Sequence, residues 1–120
     1  MTKEEMWDRL NTYEFPCIRP ETVWTWFSEN PDNNSLAEVL AQVCNCVGKL
    51  RALSSESDDP WLEYFYQAWD ELEDKLVSEC IARLKERGQF PNVHGRHYQI
   101  RPFMEEHGYR DGHGWWIEDK

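Results

Sequence analysis

Four stretches of the chain repeat apolar residues at intervals of three and four, the spacing that lines one side of an α-helix. The clearest follows Ser35: Leu36, Val39, Leu40, Val43, Val47 and Leu50 share a face with Cys46, opposite Glu38, Gln42, Asn45 and Lys49. Ser35 and Glu38 form a Ser-x-x-Glu capping box, so the helix is expected to start there. Gly48 costs it about 1 kcal/mol relative to alanine. The polar, acidic segment Ser54–Asp59 reads as the loop of an antiparallel helix pair.

The partner helix opens at Asp59–Pro60, a capping residue followed by proline in the first turn. It is expected to run to Arg87, a span of about 42 Å, where Gly88 offers a left-handed stop. Trp61, Phe65, Trp69, Leu72 and Leu76 share one face. Val77, Cys80, Ile81 and Leu84 then rotate away by about a quarter turn, at 100° per residue. A stripe bent in this way predicts two successive neighbours, the preceding helix along the first half and the C-terminal region along the second. Upstream, the Thr2-x-x-Glu5 capping box begins a short helix ending near Asn11. The Phe15–Pro16 and Arg19–Pro20 steps interrupt the chain. Pro20 opens another short helix, with Val23, Trp24 and Phe27 inward and Trp26 to one side, stopped by the Asn30–Asn34 cluster.

Beyond Gly88 the period is lost. His97–Arg101 and Trp115–Ile117 read as short strand candidates, Pro102–His107 as one or two helical turns closed by Gly108, and Asp111–Gly112 as a turn dipeptide. The expected fold class is therefore mainly α, a small helical domain spanning all 120 residues. A helical body, 1–88, holds the long antiparallel helix pair. An irregular C-terminal region, 89–120, packs on it with at most one short β-hairpin.

Charge adds what periodicity leaves out. The net charge of −10 is uneven. Residues 1–82 hold seventeen Asp and Glu against six Lys and Arg, whereas 83–120 hold six against seven, with all four histidines. Glu56 to Asp74 carries eight acidic residues and no Lys or Arg, interleaved with Trp61, Tyr64, Phe65, Tyr66 and Trp69. Like charges one helical turn apart, such as Asp70 and Asp74, cost a few tenths of a kcal/mol each. A concentrated negative field repels nucleic acid and attracts basic protein surfaces. The leading expectation is a small acidic module that inhibits or adapts a basic, nucleic-acid-handling protein, as an immunity, antirestriction or anti-defence protein of bacterial or phage type would. Its partner-binding residues are expected to be Asp58, Asp59, Glu63, Tyr64, Tyr66, Asp70, Glu71, Asp74, Trp115 and Trp116, with Trp26 as a further aromatic anchor. Trp115 and Trp116 fit a core role equally well.

The competing class is a metal- or small-molecule-binding protein. His94-x-x-His97, with His107 and His113 nearby, could hold zinc, although no Cys-x-x-Cys accompanies it. Cys44 and Cys46 lie two apart on a helix and face different sides. With no secretory apolar run at the N-terminus, the four cysteines are expected to be reduced. Neither a nucleophile–base signature nor a phosphate-binding glycine loop is present, so no catalytic residue is assigned. Arg83, Arg87, Arg96, Arg101 and Arg110 are expected to pair with the protein's own carboxylates, and direct nucleic-acid binding is not expected. No run approaches the ~20 apolar residues that cross a bilayer, and a soluble cytoplasmic protein is expected.

Overall fold

Local signals set most helix boundaries in the computed structural model, which describes residues 20–56, 60–89, 96–112 and 116–118. The expected helix at Thr2–Asn11 and Cys17 lie outside the described residues, as do the side chains of Trp61, Arg96 and His97. Helix α1 spans Pro20–Glu29, with proline in its first turn. Asn30 closes it: its backbone N–H donates to the Phe27 carbonyl and its side-chain amide to the Trp26 carbonyl, both at 2.9 Å.

Helix α2, Asn33–Glu56, starts earlier than the Ser35–Glu38 box predicts. The cap is Asp32. Its carboxylate accepts from the Ser35 N–H at 3.0 Å and the Ser35 hydroxyl at 2.8 Å, and these bonds hold its pKa below the usual value. A carboxylate three residues ahead of Ser35 satisfies orphan donors at the positive helix end, so serine serves as the donor here. The other end runs through Ser54–Glu56, which the sequence reads as loop. Ser54 donates to a Glu63 carboxylate oxygen at 3.2 Å, tying the last turn of α2 to the first turns of the next helix.

Helix α3 spans Pro60–Glu86 and packs antiparallel to α2. Gly88, at φ 76°, ends it in a Schellman motif: Gln89 N–H donates to the Leu84 carbonyl and Gly88 N–H to the Lys85 carbonyl. Between the two long helices lie Leu36, Leu40, Val43, Val47 and Leu50 from α2, against Leu62, Phe65, Trp69, Leu72 and Leu76 from α3, all buried. Phe27 brings α1 into the same core, and Arg83 joins three helices. Its guanidinium stacks over Phe27 at 5.7 Å and donates to Asn33 at 2.8 Å and to Glu79 at 3.1 Å.

The second neighbour of α3 is helical. His97–Arg101, read from sequence as a strand, belongs to α4, Arg96–Glu106. Ile100, Phe103 and Met104 fall on one face and are fully buried, with α4 against α3. Pro102 interrupts the hydrogen-bond ladder on the exposed side, and burial of the three apolar residues outweighs that loss. Gly108, at φ 90°, turns the chain into β1, Tyr109–Asp111, which pairs antiparallel with β2, Trp116–Glu118. The register sets Tyr109 opposite Glu118 and Asp111 opposite Trp116.

The hairpin is fastened from the side by Asn45 of α2. Its amide donates to the Trp116 carbonyl at 3.0 Å and accepts from the Trp116 N–H at 2.9 Å, as a neighbouring strand would. This satisfies part of an open sheet edge. Among the described residues no helix is long and apolar enough to cross a membrane.

Candidate functional site

The phase of the buried stripe leaves one side of α3 to solvent. With Leu62, Phe65, Trp69, Leu72 and Leu76 turned inward, Glu63, Tyr64, Glu71 and Asp74 are exposed and Asp70 is half-buried. Tyr64 keeps 42% of its surface in solvent and meets Phe65 edge-on at 5.9 Å. Glu63 is held in place by donors from Ser54 and, one turn along, Gln67 at 3.2 Å. Asp58, Asp59 and Trp115 lie outside the described residues.

Glu73, Tyr66 and Trp116 are taken up by the fold itself. Glu73 is only 4% exposed, the one buried charged side chain among the described residues. Its position on the helix could have revealed this, since it falls about 40° round from Trp69, inside the apolar stripe. Tyr66 is half-buried, and its hydroxyl accepts from Arg51 of α2 at 3.0 and 3.3 Å while the guanidinium lies 5.6 Å from the ring centre. That hydrogen bond is the main reason the Arg51 pKa is raised, with the Glu73 and Asp70 charges adding to it. The acidic stretch, which has no cation of its own, thus borrows one from the facing helix. Trp116 is 3% exposed and belongs to the core, which answers the choice between core and interface for that residue.

Of the two exposed tryptophans on α1, Trp24 borders this face and Trp26 lies on the other flank of the helix. Trp24 is 37% and Trp26 42% exposed. Trp24 leans on Phe27 at 5.8 Å and carries the Lys75 ammonium over its ring at 5.4 Å. Between α1 and α3 runs a groove of about 400 Å³ with Trp24, Tyr64, Glu21, Glu71 and Lys75 at its sides and Leu72 at its base. On the other flank of α1, Trp26, Val23 and Val39 border a more apolar groove of about 350 Å³.

The C-terminal half of the molecule is organised differently. Arg83 pairs with Glu79, Arg87 with Glu106 at 2.6 Å, and Arg101 with Glu105 at 2.6 Å, so these arginines meet the protein's own carboxylates as the charge balance predicts. His107 lies against Phe103 at 4.8 Å, with Nδ1 2.7 Å from the Asn34 side-chain oxygen. Its Nε2 is buried without a hydrogen-bond partner among the described residues. The ring therefore bridges α2 and the end of α4. His94, His113 and the His97 side chain lie outside the described residues. Among those described, no group of three or more His, Cys, Asp or Glu converges as metal ligands would.

Cys46 and Cys80 are free thiols, and Cys44 is buried in the core. Burial pushes the Cys80 thiol up to about 12 and raises that of Cys46, which disfavours the thiolate at both. No family model, curated protein or solved structure matches the chain.

Proposed function

We propose that the protein is a binding module for a basic protein, and that it acts as an inhibitor or adaptor by covering that partner's cationic surface. The observation that carries this reading is the segregation of α3: an apolar face closes the core while Glu63, Glu71 and Asp74 stand exposed beside Tyr64 and Trp24. Carboxylates steer a cationic partner and set its register, and aromatic side chains supply contact area at low entropic cost. The overall charge of −10 reinforces the long-range attraction. A partner whose basic surface handles nucleic acid fits this chemistry, and masking it is what immunity, antirestriction and anti-defence proteins would do.

Affinity capture from the host tests the proposal, with wild type run beside Glu63→Lys/Glu71→Lys/Asp74→Lys and folding compared by circular dichroism. Wild type should retain a basic protein that the charge-reversed variant loses, and retention should weaken as salt rises. Equal retention by both folded proteins would sink the reading. Glu73 is left out of the variant because it is buried.

A further inference from the structure

Resting on the reading above, we infer that the groove between α1 and α3 receives an arginine side chain of the basic partner, seated against Trp24 and Tyr64 and met by Glu21 and Glu71. Four features converge there. The sides carry two exposed aromatic rings, whose negative faces attract cations. Two carboxylates from different helices border the same space. Its base includes Leu72, an apolar surface suited to the methylene stem of a long cationic side chain. The fourth feature is internal: the Lys75 ammonium already lies 5.4 Å from the centre of the Trp24 ring, so this aromatic face is presented to a cation in the free protein.

Arginine fits better than lysine. A guanidinium is planar and weakly hydrated, and it can stack on a ring while forking two N–H donors to a carboxylate. An incoming arginine takes the Trp24 face from Lys75, which is an exposed competitor. Among the described residues, the groove on the other flank of α1 is bordered by Trp26 and one carboxylate, Glu38, without this pairing of two rings with two charges.

The test uses the full chain and an acetylated, amidated peptide of alternating arginine and glycine, with lysine and citrulline counterparts, followed by NMR and tryptophan fluorescence. The arginine peptide should bind most tightly and the citrulline peptide, which has the same shape without the charge, most weakly. Trp24→Leu and Tyr64→Leu, both at exposed positions, should each weaken the arginine peptide about two- to thirty-fold. Lys75→Gln should tighten it by removing the competitor, and Trp26→Leu should leave it unchanged. Wild-type affinity in both Trp24→Leu and Tyr64→Leu, or equal binding of arginine and citrulline peptides, would overturn the inference. If those two variants bind normally while Glu63→Lys/Asp74→Lys, outside the groove, loses the peptide, the groove fails and the acidic face stands. If they lose the peptide but Glu63→Lys/Asp74→Lys, outside the groove, leaves host-protein capture intact, the groove stands and the broader reading fails.

Discussion

Between Pro60 and Asp74, α3 carries five carboxylates and no Lys or Arg; between Lys75 and Arg87 the chain carries four basic side chains and two acidic ones. The second half closes much of its charge within the fold, through Arg83–Glu79 and the contact of Arg87 with Glu106 of α4. Its apolar side is covered by Ile100, Phe103 and Met104. In the first half Arg51 reaches across from α2 to Tyr66, near Asp70 and Glu73, while Glu63, Glu71 and Asp74 remain at the surface. The charges of the second half meet partners within the fold; in the first half one sign accumulates on an exposed face, the face proposed above to meet a basic partner.

Separating the halves by mutation sharpens this contrast. The largest effect is expected from Phe103→Ala, which empties a fully buried site beneath the second half and should cost about 3–5 kcal/mol in urea unfolding. A cost below about 1 kcal/mol would mean that α4 is a loose attachment. Next comes a matched pair within the acidic half. Glu73→Lys places the wrong charge in a buried site and should lose roughly 3 kcal/mol, whereas Glu71→Lys should stay within about 0.5 kcal/mol by the same measurement. Similar losses in both would erase the distinction between buried and exposed carboxylates. The smallest effect is expected from Arg87→Gln. Its pair with Glu106 is partly exposed and screened, so the loss should be at most about 1 kcal/mol and shrink further as salt is added. A larger, salt-insensitive loss would make the Arg87–Glu106 pair a structural contact of the second half rather than a surface one.

How far the fold was legible follows from the range of each interaction. Pro20, Pro60 and Gly88 act on the residues beside them, so the starts of α1 and α3 and the stop of α3 could be read directly. The bend in the α3 stripe was also legible, and it announced a second neighbour. The neighbour's helical form was not, because α4 has only three buried apolar residues and Pro102 in its middle. Its helicity comes from packing against α3, which overrides weak local preference. Glu73 was within reach of the sequence, since helical phase alone puts it inside the stripe. Asn45 was not: its bonds to the Trp116 backbone join positions 71 residues apart.

By itself the sequence determined the helix pair, the inward face of each long helix and the accumulation of negative charge from Glu56 to Asp74. These depend on spacing and composition, which are properties of neighbours along the chain. Only the tertiary structure decided which charges stay outside. It brought Arg51 to Tyr66, buried Glu73 and Trp116, and set Trp24 of α1 beside Tyr64 and Glu71 of α3 around one groove. A site of that kind is made by helices meeting, and the distances between their side chains are fixed by packing rather than by position in the chain.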